Sequence, residues 1–137
     1  MIDPVLALQT AIHDHLISDV AVTALVPVAH IRAGSTRPDK LPTIIIADGT
    51  TTMHGRAAGS QFVASVFLDL HIWSEADGLA TAKQIGAAVA RRLMDWPATI
   101  GFALDEFKHT RTVWPRDPDQ DYGHGVVSLE AAIRWSI

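Results

Sequence analysis

The stretch Gln61-Phe-Val-Ala-Ser-Val-Phe-Leu-Asp-Leu-His-Ile-Trp73 decides the fold, because every even position from Phe62 to Ile72 is apolar. A period of two over so many residues predicts one long β-strand with a single core face. The odd face, Gln61, Val63, Ser65, Phe67, Asp69, His71 and Trp73, mixes polar groups with large apolar ones. That is more apolar surface than solvent contact needs, and it marks a candidate partner surface carried by Phe67, His71 and Trp73.

Downstream the period changes to that of a helix. Ser74 stands three residues before Asp77, the spacing of a capping box, and Leu79, Ala82, Ile85, Gly86, Val89 and Leu93 form an apolar stripe, with Lys83, Arg91 and Arg92 outward. Trp96-Pro97 closes that helix. Two further strands follow, over 102–114 and 125–135, joined by a turn-rich segment containing Asp117, Asp119 and Asp121. In the second, Val127, Leu129, Ala131, Ile133 and Trp135 alternate with polar or small residues and give another core face.

Upstream, Asp3-Pro4 is a helix-start signature, and Val5, Leu8, Ala11, Ile12 and Leu16 set a helix over 5–17. A short second helix over 20–26 ends at Pro27. A weak strand over 29–33, a loop over 34–42 and a β-branched strand over 43–47 come next. Residues 49–59 lack any apolar period and read as a mobile loop, in which Met53, His54 and Arg56 are candidate contacts for a neighbouring subunit. The expected order is α-α-β-β-β-α-β-β. It implies an α+β domain, with a twisted, mainly antiparallel sheet and two to three helices packed on one face.

Composition bounds the function. At 137 residues the chain reads as one domain, 1–137, able to bury a true core. Cysteine is absent, which removes disulfides, thiolate catalysis and thiolate metal sites. A formal charge of -4 gives no net attraction to nucleic acid. The start lacks a secretory pattern, and no stretch has the apolar length of a membrane span, so the expectation is a cytoplasmic protein without membrane contact.

No constellation carries catalysis. His13 and His15 are two apart on a helix and point to different sides, so they read as solvated residues rather than a metal pair. The Asp117, Asp119, Asp121 alternation opens like a calcium loop but fails at Tyr122 and Ser128, leaving a solvated acidic turn. There is no nucleophile elbow and no phosphate loop. Arg32, Arg37, Lys40 and Arg56 fall in expected loops, where solvation is the simplest account and partner contact the second, with Arg37 the candidate. Catalytic, cofactor and metal residues are therefore expected to be none, and no cofactor is expected.

The run Leu68-Asp-Leu-His-Ile-Trp-Ser-Glu-Ala-Asp-Gly-Leu-Ala80, leading into Lys83-Gln-Ile-Gly-Ala-Ala-Val-Ala-Arg-Arg-Leu93, resembles the strand-to-helix core of the phage tail completion family. The opening helices with Leu41-Pro-Thr-Ile-Ile-Ile46, and Arg116-Asp-Pro-Asp followed by Tyr122-Gly-His-Gly-Val-Val-Ser-Leu-Glu130, are similar to that family's first and last parts. The resemblance spans nearly the whole chain, and departs at Thr43 and in the extra turn residues 118–122. It implies a tail terminator, a non-enzymatic subunit of tailed phages, prophages and gene transfer agents. Such a subunit forms a ring, usually a hexamer, that caps the tail tube and joins it to the head connector, and DNA passes through without sequence-specific binding. The resemblance implies assembly in the bacterial cytoplasm and a final place in the particle. A connector or stopper subunit of similar fold stays open, as does, from another class, a small metal-dependent hydrolase using His71, His109 and the Asp117–Asp121 turn.

Overall fold

The computed structural model of the chain describes residues 1–118 and 121–136. Helix α1 spans Pro4–Ile17, and the Asp3 carboxylate accepts a hydrogen bond from the Leu6 N–H at 2.9 Å to cap it. Helix α2, Val20–Thr23, is a single turn, and a 3-10 turn covers Val28–His30. Strands β1 (Ile31–Ala33), β2 (Thr43–Ile46), β3 (Thr50–Ala57) and β4 (Gln61–Glu75) precede helix α3 (Ala80–Leu93), and β5 (Ala103–Val113) and β6 (Tyr122–Ser136) close the chain.

The expected α+β class holds: three helices accompany a six-stranded, mostly antiparallel open sheet. Its order is β1-β2-β4-β6-β5, with β3 also on β4 and β1 parallel to β2. The spine is β4 against β6, an unbroken register from Gln61 opposite Ser136 to Glu75 opposite Tyr122. The even face of β4 meets α1 and α3 as expected. Ala64, Val66, Leu68, Leu70 and Ile72 are buried there with Val127, Leu129, Ala131, Ile133 and Trp135 of β6. Strands that alternate so strictly cannot slip by one residue without turning this whole set to solvent.

Trp114 closes the sheet's far end by lying over two glycines. A Cβ on Gly125 would stand 2.5 Å from its ring and one on Gly86 2.8 Å, so a side chain at either position must displace the indole.

The structure corrects four expectations. Residues 49–59 are not a mobile loop: β3 pairs with β4 from Thr50 opposite Phe67 to Ala57 opposite Gln61, interrupted by a bulge at His54. Three consecutive threonines favour extended backbone, and the apolar period is missing because the strand is largely exposed. Ser74 does not cap α3; it is buried at the end of β4, and Asp77 instead receives the Thr81 N–H at 3.3 Å together with the Thr81 hydroxyl. His15 is not solvated but 8% exposed, bonded through Nε2 to the Arg92 carbonyl at 2.9 Å. Asp117 is not a solvated turn residue either, being 4% exposed.

Candidate assembly interface

The odd face of β4 is the sheet's second side, away from the helices, and it divides into a covered half and an open half. In the covered half, Trp73 and His71 of β4 stand opposite His124 and Val126 of β6, and Thr43 and Ile45 of β2 share their face by register. Trp73 is 4% exposed and Ile45 fully buried, although the helices lie on the other side. Over Trp73 lies the side chain of Arg37, from the segment 34–42 that joins β1 to β2. Arg32 holds this segment by donating to the carbonyls of Ser35 at 3.0 Å and Arg37 at 3.2 Å. His30 Nδ1 lies 2.9 Å from the Pro42 carbonyl and fastens its far end.

Arg37 fastens the middle of this strap. Its guanidinium lies 5.2 Å from the ring centres of both Trp73 and Tyr122, and donates to Asp117 Oδ1 at 3.2 Å. Asp117 Oδ2 accepts the backbone N–H groups of Asp121 and Tyr122, so one buried carboxylate orders the β5–β6 turn and anchors the strap. The Trp73 and His124 rings stack at 3.7 Å and 4°, with Tyr122 edge-on to Trp73. His71 Nδ1 and His124 Nε2 are 2.9 Å apart, so one ring donates to the other. Burial pushes His71 below its ordinary value against the opposing pull of Asp69. His124 is driven down to about 4 by burial and by His71, with Arg37 adding to the effect and Asp117 opposing it. The pair is therefore neutral near pH 7.

The open half carries Phe67, 44% exposed, opposite Glu130 on β6 and Thr50 on β3. A groove of about 520 Å³ passes here between Gly49, Thr50 and Phe67 on one side and Arg111, Ser128 and Glu130 on the other. Its flanks are ion-paired: Lys108 lies 3.1 Å from Glu106 and 3.7 Å from Glu130, and Arg134 donates to both Asp105 oxygens at 3.1 Å. Beyond it lies β3. Met53 is 51% exposed, His54 Nε2 approaches Ser65 Oγ at 2.7 Å, and the Arg56 guanidinium lies 5.5 Å from the Phe62 ring.

Of the seven candidate contact residues, the fold thus gathers Arg37, His71 and Trp73 into one cluster, in which Trp73 is buried and the Arg37 side chain stays 52% exposed. His54 and Phe67 stand at the open half, whereas Met53 and Arg56, paired with Ala64 and Phe62, lie on the helix side of β3. Sequence reasoning missed His124, Tyr122 and Asp117 as parts of this cluster, since only the β4–β6 register brings the first two beside Trp73 and only Arg37 links Asp117 to them. It also missed the exposed apolar residues Met94 (81%), Trp96 (50%) and Ile100 (93%) that follow α3. Their signal was present as large apolar residues in a stretch without period.

Asp119, the middle of the aspartate alternation, lies outside the described residues. Among the described residues no group of three or more His, Cys, Asp or Glu is placed to hold a metal ion. His109 bonds Thr112 Oγ1 at 2.7 Å on β5, whereas His71 is engaged with His124 on β4 and β6. No helix among the described residues is long and apolar enough to cross a membrane.

The model of the family described as tail completion protein gp17 matches residues 10–134. The chain belongs to that family. Its role is accordingly a structural one in completing a phage-type tail. Two solved structures share the fold. A chain from the virion of a native gene transfer agent (GTA) particle superposes with a TM-score of 0.80 at 21% identity, covering 96% of this chain and 98% of that one. The bacteriophage SPP1 gp17 protein gives 0.54 at 21% identity, covering 92% and 88%. No curated protein matches the sequence. The family match covers α1 through β6 apart from the ends, so both halves of the outer face belong to the shared domain.

Proposed function

We propose that the chain is a tail terminator: copies of it form a closed ring, six in number, that caps the tail tube and joins it to the head connector while DNA passes through without sequence-specific contact. The observation that carries this reading is the family match over 10–134, a stretch that includes nearly every element of the domain. A ring repeats one heterologous contact, so a subunit needs two different uncovered surfaces. The open half of the outer face, with Phe67 and His54, and the exposed strand β3 beside it, whose other side carries Met53 and Arg56, support one of them. The exposed residues Met94, Trp96 and Ile100 beyond α3 support the other. We assign synthesis and assembly to the bacterial cytoplasm and the final place to the neck of the particle.

The test is a deletion of the gene with imaging of the particles. Loss of the protein should leave tails and DNA-filled heads unjoined, and averaging of normal particles should show six copies at the top of the tail. Joined particles in normal number from the deletion strain would end the proposal, and a single copy per particle would end its ring.

A further inference from the structure

The strap over the covered half has a feature that tail completion does not account for. Its central anchor, Arg37, sits on Trp73, and the ring of Trp73 stacks in turn on one of a pair of histidines. His71 and His124 share one hydrogen bond at 2.9 Å, which requires one ring nitrogen bearing a proton and one without. Their rings stack at 5.1 Å, and His124 in turn stacks on Trp73, the ring that Arg37 covers.

We propose that the strap 34–42 is a proton-operated cover: proton uptake by the His71–His124 pair releases Arg37 and lifts the strap, uncovering Trp73 on the outer sheet face.

The charges around the pair decide the direction. One extra proton can be held with the hydrogen bond intact, because a charged ring still donates to a neutral one. A second proton puts two N–H groups and two positive charges face to face, with the Arg37 guanidinium as a third positive charge across Trp73. On β4, Asp69 favours protonation of His71, but its Oδ1 already accepts the Ser128 hydroxyl at 2.7 Å. At the β5–β6 turn, Asp117 favours protonation of His124, yet its oxygens hold Arg37 and two backbone N–H groups. Tyr122, from β6, presents its ring to the Arg37 guanidinium. Arg32 lies on β1 and pairs with Asp39 of the strap at 3.5 Å, a contact that the lifted strap gives up. The element that yields is the strap, since it is irregular chain, while β4 and β6 are locked by their full register. Acid therefore opens the cover while the sheet stays folded.

The two buried indoles supply the measurement. Trp73 lies under the strap and Trp135 in the helix-side core, and both are almost inaccessible. Broadening of their indole N–H signals by a soluble gadolinium chelate reports accessibility at each pH. From pH 7.5 to 4.5, Trp73 should become several-fold more accessible while Trp135 stays protected. His124→Phe, which keeps the stack but cannot take up a proton, should hold Trp73 protected at pH 4.5. Arg37→Ala should expose it at both pH values. Should His124→Phe fold poorly, His124→Gln makes the same comparison. Trp73 as protected as Trp135 at pH 4.5, the two becoming accessible together, or an unchanged pH profile in the His124 variants would each overturn the proposal.

Discussion

His124 and Gly125 are neighbours in β6, yet each constrains the molecule by different physics. His124 binds its proton more weakly in the folded chain than in the unfolded one, where it titrates near 6.5. Above that pH both states are neutral and nothing is lost. As pH falls from about 6.5 towards about 4, the unfolded chain takes up the proton first, so stability drops, and it levels off once the folded chain is protonated too. His71, also lowered, acts in the same sense. Thermal melts should therefore show a melting temperature falling across this window, with a shallower fall in His124→Gln; equal slopes would remove the histidine from the account. Gly125 is constrained by contact instead, because Trp114 occupies the space of its missing side chain. Gly125→Ala must displace a ring wedged between β6 and α3, an overpacking that costs about 1–3 kcal/mol. Denaturant titration should place its midpoint well below that of the unsubstituted chain. Neither effect was legible beforehand. The sequence presents His124 as one histidine among seven and Gly125 as the first residue of a strand, and only register puts them beside His71 and Trp114.

Strands β4 and β6 and helix α3 were legible as elements because one face of each is buried against the others, and burial imprints a period on sequence. Strand β3 was not. Seven of its eight residues pair across to β4, but its side chains remain largely in solvent, so selection on the core leaves no pattern there. Its only mark was the threonine run, which states extended backbone without stating a partner. The misread start of α3 has a similar cause, since the pairing of Ser74 with Gly123 extends β4 past the residues that look like a capping box. The correction to β3 changes what should be tested. Cutting the segment to a tight turn, reasonable for a loop, would strip the edge of β4 over 61–67. Point substitutions are the sound alternative. Met53→Asp and Arg56→Glu lie on exposed positions and should alter stability by no more than about 0.5 kcal/mol, while lowering the fraction of joined particles. Unfolding of either variant would show that β3 supports the core after all. Normal joining by both would remove the strand from the interface.

At the scale of the whole molecule the two-layer architecture leaves the sheet one face too many, and the chain resolves this only in part. Its own strap covers the end near Trp73, and the end near Phe67 stays open. Alternation in β4 announced that both residues lie on the non-core face, and in this the sequence was right. It could not announce that a segment thirty residues upstream would fold back over one of them, because the strap has no periodic signature and Arg37 looks like any solvated arginine. The difference separates two residues that had looked equivalent as contact candidates. Trp73, 4% exposed between His124, Tyr122 and Arg37, is part of the folded subunit, and Trp73→Ala should cost about 3–5 kcal/mol by the general scale for buried aromatic truncation. Phe67, 44% exposed above the groove, has much less to lose, and Phe67→Ser should change the melting temperature of the isolated subunit little. In the particle the order should reverse. Trp73→Ala would reduce joining only as far as it reduces folded protein, whereas Phe67→Ser should yield well-folded subunits that are poorly retained on tails. Quantifying soluble folded protein and the amount bound per tail for both variants tests this directly. If Phe67→Ser loads onto tails as fully as the unsubstituted chain, the open half of the sheet faces solvent or the channel, and the contact between neighbours must lie elsewhere.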